Sequence, residues 1–193
     1  MLLPPMTLKK KFIELYTPIK EKNQYPNIEL YCCDESRFGL HTYVGSVLAA
    51  RGVKPKCHFQ QVFKSKWVYG GFSPFSGNSL VMTFDECKST YFQIFLDELS
   101  RTYPDTLMVL LLDNAKFHTC KGLIIPQNIK FIFQPPYSPE LNPSEKVWWT
   151  MKRSFRNKSY KTLDEVEEFI KNETASLTTE AIKQICGYSY FWG

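Results

Sequence analysis

Acidic residues are missing from two long stretches of this 193-residue chain. Between Ser36 and Phe84 there is no aspartate or glutamate, whereas Arg37, Arg51, Lys54, Lys56, Lys64 and Lys66 supply positive charge. The stretch from Lys146 to Lys161 is equally free of acid and carries Lys146, Lys152, Arg153, Arg156, Lys158 and Lys161. The chain's net charge is only +5, so everything outside these stretches is acidic on balance. Such segregation suits a surface that meets phosphate, although an ordinary solvated face also carries runs of charge.

Long apolar runs are missing too. Leu107 to Leu112 is among the longest and falls far below the ~20 residues that a membrane span needs, so no span is expected. The N-terminus, MLLPPMTLKKKF, puts its lysines after a short apolar start broken by Pro4 and Pro5, the wrong order for a secretory signal. The six cysteines (Cys32, Cys33, Cys57, Cys87, Cys120, Cys186) form no C-x-x-C pair and have no histidine at finger spacing. Scattered thiols of this kind fit a reducing cytoplasm. There is no internal repeat or low-complexity tract, and with 44% hydrophobic and 22% charged residues the length suits one globular domain.

Periodicity outlines that domain. Residues 1–27 form a proline-punctuated lead-in with a short helix near Leu8 to Tyr16. Ile28 to Cys33 predicts a buried strand running into Asp34. Trp67 to Phe72 and Ser79 to Phe84 predict a hairpin around SPFSGN. Ser89 is placed to cap a helix whose apolar face is Tyr91, Phe92, Ile94, Phe95 and Leu99. Leu107 to Leu112, ending on Asp113, reads as a central parallel strand, and Ile129 to Phe133 as another. The pattern turns helical from Pro143 onward and again over Thr162 to Leu177. Such an order suits an α/β fold with a mixed sheet, with the compact domain over 28–180 and a tail over 181–193.

Two apolar strands thus end in aspartates, Asp34 and Asp113, where open α/β sheets bind ligands. A third carboxylate, Glu145, starts a helix after a proline-rich loop. Singly, each has a bland reading as a turn, cap or first-turn residue. Jointly, three converging carboxylates repel one another unless a divalent cation holds them, and oxygen ligands alone favour Mg²⁺ or Mn²⁺ over zinc.

The phrases CCDESRFGLHT (Cys32 to Thr42), LLLDNAKFHT (Leu110 to Thr119) and FQPPYSPELNPSEKVWWTMK (Phe133 to Lys152) resemble the three signature blocks of the DDE transposases of the mariner superfamily, closest to the bacterial insertion-sequence branch. The likeness runs from about Ile28 to Leu177 and includes the intervening basic segment and the YGGFSPFSGN hairpin. It implies a ribonuclease H-like fold with a mixed five-stranded sheet flanked by helices. It also implies that Asp34, Asp113 and Glu145 are the acidic catalytic triad, holding two Mg²⁺ ions that Mn²⁺ can replace. The implied reaction is phosphoryl transfer on double-stranded DNA: hydrolytic cleavage at element ends, then attack of the freed 3′-hydroxyl on a target, typically at TA. A homodimer that joins two ends, and a bacterial, nucleoid-associated cytoplasmic location, are further expectations of the resemblance.

Neighbouring residues receive supporting roles. Glu35 should point to the opposite side of the strand from Asp34. Asn114 and His118 match the family's D-N-x-x-x-H block, where His118 either orients a metal ligand or contacts phosphate, or is an ordinary capping histidine. Tyr137, Ser138, Pro139 and Asn142 match the loop that delivers Glu145, and its prolines restrict the backbone. Trp148 and Trp149 read as core and helix packing rather than DNA wedges. Lys54, Lys56, Lys64, Lys66, Lys152, Arg153 and Arg156 are the expected DNA contacts. The chain departs from the family in having Ser144 where many relatives carry an aliphatic residue. It also has only about 27 residues where the family carries a helix-turn-helix region that recognises element ends. Three origins fit that shortness: the second frame of a frameshift fusion, a subunit that works with a separate helix-turn-helix chain, or a truncated remnant. The alternative to a working catalytic domain is an inactive fragment that binds DNA or regulates a full-length relative.

Overall fold

A computed structural model of the chain describes residues 5–54, 56, 58–136, 138–188 and 191; Tyr137 and Cys57 lie outside the described residues. Helix α1 (Pro5–Glu21) precedes β1 (Asn27–Gly39), the hairpin β2 (Ser65–Phe72) and β3 (Ser79–Phe84), then α2 (Ser89–Thr102), β4 (Thr106–Leu112) and β5 (Ile129–Phe133). A short 3₁₀ turn (Pro139–Leu141) leads into α3 (Ser144–Phe155), α4 (Leu163–Ser176) and α5 (Thr179–Cys186). The sheet order is β3-β2-β1-β4-β5. β1, β4 and β5 are parallel; β2 runs antiparallel to β1, and β3, antiparallel to β2, points the same way as β1.

The continuous apolar run of β4 is explained by cover on both faces. Met108, Leu110 and Leu112 join Tyr31, Cys33 and Tyr69 beneath Phe92, Phe95, Leu96 and Leu99 of α2. On the other face Val109 and Leu111 pack with Leu30, Cys32, Ile132, Phe12 of α1 and Phe191. Further along that face, Phe38, Val68 and Phe72 meet Val147, Trp148, Met151 and Phe155 of α3 together with residues of α4 and α5.

Three expectations change. The first strand does not stop before Asp34 but continues to Gly39, because its second half pairs antiparallel with β2, with Asp34 opposite Gly70 and Phe38 opposite Lys66. Ser36, Phe38 and Leu40 are buried while Arg37 is exposed, a strand alternation that the basic character of the segment hides. Ser89 is the first residue of α2 and not its cap; Lys88 takes the cap position and makes no side-chain cap bond. The segment from 181 onward is not a plain tail: α5 starts at Thr179, its cap Thr178 accepts the Ala181 N–H, and Ile182 and Cys186 are buried. Elsewhere the pattern holds closely. Thr162 caps α4 by accepting the Glu165 N–H, and the Glu165 carboxylate accepts the Lys161 N–H in return.

Gly70 permits the closest contact between sheet and helix. A Cβ there would lie 2.5 Å from the Trp148 indole and 2.8 Å from the Phe72 ring. Trp148 is itself only 1% exposed, so it has nowhere to move. We expect Gly70→Ala to destabilise the protein by about 1–3 kcal/mol through overpacking. Calorimetry should show this as a melting temperature lower by roughly 3–9 °C for a domain of this size; an unchanged melting temperature would mean that the indole can shift freely.

Candidate active site

The three carboxylates named from the sequence line one cleft of about 460 Å³, with Asn114, Gln134, Pro135, Pro136, Ser138, Pro139 and Asn142 completing its wall. Asp34 comes from the middle of β1, Asp113 from the residue after β4 and Glu145 from the first turn of α3. Among the described residues no three His, Cys, Asp or Glu side chains stand close enough to hold an ion as they are. The carboxylates therefore share a cleft without forming a closed cage.

Each aspartate already has a protein partner. The Trp148 indole N–H donates to Asp34 Oδ2 at 3.0 Å. Asp113 Oδ1 accepts from the Ala115 N–H at 3.0 Å and from His118 Nδ1 at 2.8 Å. His118 Nε2 reaches Glu35 Oε1 at 3.1 Å. The His118 side chain is 0% exposed, and burial opposes its charge, but the hydrogen bonds to Asp113 and Glu35 outweigh that cost and push its pKa up to about 9. An imidazolium donates through both nitrogens, so His118 ties Glu35, on the face of β1 opposite Asp34, to the end of β4. His118 is therefore buried between Asp113 and Glu35 and not at the surface.

The electrostatics of the two aspartates diverge. Burial, followed by the Glu145 and Glu35 charges, holds the Asp34 carboxyl well above the usual carboxylate range. His118 keeps Asp113 below that range. Burial also raises Glu35, with His118 working against it. A half-buried acid facing other acids gains most from a cation, and the donors are carboxylate oxygens only. These residues fit Mg²⁺ or Mn²⁺.

The loop before α3 is anchored rather than loose. Asn142 Nδ2 donates to the Cys33 carbonyl at 2.7 Å, one residue before Asp34, and its Oδ1 accepts from the Ser144 backbone N–H and hydroxyl. Ser144 is thus a buried hydroxyl with a defined partner. Asn114 Nδ2 donates to the Gln134 carbonyl at 2.6 Å, so at the wall of the cleft it ties the end of β4 to the segment after β5.

The basic residues separate into groups. The two acid-free stretches fold against each other: the Asn157 side chain bonds both backbone groups of Gly45, Asn157 N–H donates to the Tyr43 carbonyl, and Gln60 reaches Tyr160. Arg37, Lys64 and Lys152 line a pocket of about 390 Å³ with His41, Tyr43 and Phe63. Lys54 and Lys56 are exposed. Lys66, expected to meet DNA, is committed to Asp85 at 2.8 Å and Glu167 at 2.9 Å with its side chain 16% exposed, so it is structural. Arg156 lies over the Tyr43 ring and secures the segment after β1. Trp149, expected in the core with Trp148, is instead 54% exposed, because neighbouring helix residues point about 100° apart and only Trp148 faces the sheet.

A ribonuclease H-like sheet that brings carboxylates from β1, β4 and the following helix to one cleft defines the class of protein. Residues 29–167 match the family described as DDE superfamily endonuclease, and the chain belongs to that family. It is 34% identical over 102 residues to the uncharacterized protein y4pE/y4sA of Sinorhizobium fredii (strain NBRC 101917 / NGR234), which covers 52% of this chain and 76% of that relative. Its fold is similar to that of the Mos1 transposase in a paired-end complex with the left transposon end, with a TM-score of 0.66, 17% identity, and coverage of 97% of this chain and 60% of that one. A Mos1 mariner paired end complex with Mn gives a TM-score of 0.67 at 17% identity, over 96% of this chain and 60% of the other. The chain thus spans about 60% of the length of those transposase chains. No helix among the described residues is long and apolar enough to cross a membrane.

Asp34→Asn keeps an acceptor for Trp148 and removes a buried like-charge. Without divalent cation we expect the variant to melt about 2–6 °C higher than the wild type. Mn²⁺ should raise the melting temperature of the wild type and leave the variant nearly unmoved. A variant less stable than the wild type in metal-free buffer would contradict this account of the site.

Proposed function

We propose that this chain is the catalytic domain of a transposase that cuts and rejoins DNA by metal-dependent phosphoryl transfer. The observation that carries this reading is the convergence of Asp34, Asp113 and Glu145 on one cleft within a DDE endonuclease fold. Asp34, Asp113 and Glu145 hold two Mg²⁺, or Mn²⁺ in their place. When bound, the ions supply a nucleophilic oxygen at neutral pH and stabilise the leaving 3′-oxygen.

The chain's own contribution is preorganisation. Trp148 and Asn142 fix where Asp34 and Glu145 stand relative to each other, and His118 fixes Asp113. Lys152, Lys64 and Arg37, with exposed Lys54, Lys56 and Arg153, offer phosphate contacts beside a cleft that is itself negative. The substrate is double-stranded DNA, the ends of an insertion sequence and a TA target, processed by a dimer of the chain. End recognition falls to a helix-turn-helix segment fused to this domain or supplied by a separate subunit. The acidic triad and its supporting bonds are intact, which favours a working enzyme over an inactive regulator.

The test is Mg²⁺-dependent nicking and strand transfer on a duplex carrying the element's inverted repeat. Asp113→Asn and Glu145→Gln should each lower the rate by about 10²–10³-fold, the scale expected for loss of a group that stabilises transition-state charge. Both should still bind DNA with the steep salt dependence of phosphate contacts. Nicking by either variant at the wild-type rate would sink the assignment.

A further inference from the structure

We propose that Trp149 and Arg153 form a stacking platform for a nucleobase of the DNA next to the phosphate bound at Glu145. This inference rests on reading the cleft as a DNA-cleaving site, and it assigns a positioning role on the surface beside that cleft.

Trp149 is more than half exposed although its neighbour Trp148 is among the largest fully buried side chains. On α3 the residues Glu145, Trp149 and Arg153 stand at i, i+4 and i+8, so they form one ridge that begins at a triad carboxylate. The helix rises only about 6 Å from Glu145 to Trp149. An indole there is within reach of the nucleotide flanking a phosphate held in the cleft. Arg153 places its guanidinium carbon 5.6 Å from the Trp149 ring centroid, which braces the indole and sets a cation beside its face.

The surroundings indicate which partner the indole meets. No acidic residue occurs from Lys146 to Lys161, and Lys152, on the same helix, lines the pocket shared with Arg37 and Lys64. A flat aromatic surface flanked by cations, with Glu145 only at its cleft end, matches a nucleic acid strand, whose bases stack and whose phosphates pair with the cations. The platform is also rigidly indexed to the cleft. Asn142 and Trp148 bond α3 to β1 on either side of Glu145, so the backbone that carries Trp149 is fixed relative to the cleft.

The test uses the full chain and a short duplex with a single-stranded end carrying 2-aminopurine, at low salt and without divalent cation, so that nothing is cut. Wild-type protein should bind in a salt-sensitive way and change the 2-aminopurine emission. Trp149→Ala should lose that spectral change and bind about tenfold more weakly, within the range measured for loss of one base-stacking aromatic. Trp149→Phe should recover most of the signal, while Arg153→Ala should weaken binding and flatten the salt dependence. Because the indole is exposed, Trp149→Ala should melt with the wild type, which separates this effect from misfolding. A full 2-aminopurine response from Trp149→Ala overturns the platform, as does a change in the molecular mass of the assembly with that response unaltered. If the wild type neither binds DNA nor nicks it with Mg²⁺, the DNA-cleaving reading fails and the platform falls with it. If it nicks normally and Trp149→Ala gives the full signal, only the platform falls.

Discussion

Everything in the cleft depends on how α3 is pinned to β1. Two side chains do this, three residues before and three after Glu145. Asn142 donates to the Cys33 carbonyl, and Trp148 donates to the carboxylate of the next strand residue, Asp34. Both bonds are sheltered from water, so each is stronger than its exposed equivalent. The glycine opposite Asp34 in the β1–β2 ladder is what allows the indole to lie flat enough to make it. A carboxylate contributed by a helix and one contributed by a strand are thereby held in register without any contact between them.

The same bonds explain how the protein tolerates acids in close company. Asp113 is neutralised locally by His118, which in turn is held by Glu35, so two acids share one buried cation. Asp34 has no such partner; it has an indole N–H, and its carboxyl is correspondingly held high. The site is therefore electrostatically asymmetric, with one aspartate ionised at little cost and the other at considerable cost. A divalent cation bound there would relieve the second far more than the first. Outside the cleft the two acid-free stretches are joined through Asn157 and Gln60, which brings their basic residues into one region of the surface.

Much of this was legible in the sequence because the signals were local. The hairpin, β4, β5 and α4 follow from apolar periodicity and turn chemistry, and three short blocks of sequence pick out the carboxylates that line the cleft, although Asp34 lies mid-strand and not at a strand end. What was hidden was long-range. The second half of β1 has no apolar run to mark it, and its partner, β2, lies some thirty residues away in sequence. The commitment of Lys66 to Asp85 and Glu167 joins three separate elements, and no local pattern distinguishes it from Lys64, which faces the pocket. The helix α5 was missed because eight residues are too few for a clear period, and its apolar residues are buried only once α3 is in place.

The tryptophan pair shows the limit of composition most sharply. Adjacent, chemically identical residues were given one reading, yet a helix turns about 100° per residue, and that rotation puts Trp148 beneath the sheet and Trp149 in solvent. The alternation of buried Val147, Trp148, Met151 and Phe155 with exposed Glu145, Trp149 and Arg153 divides α3 into a face that builds the site and a face that confronts whatever enters it. Since Glu145 belongs to the outward face, the helix cannot present its carboxylate to the cleft without also presenting Trp149 and Arg153 beside it.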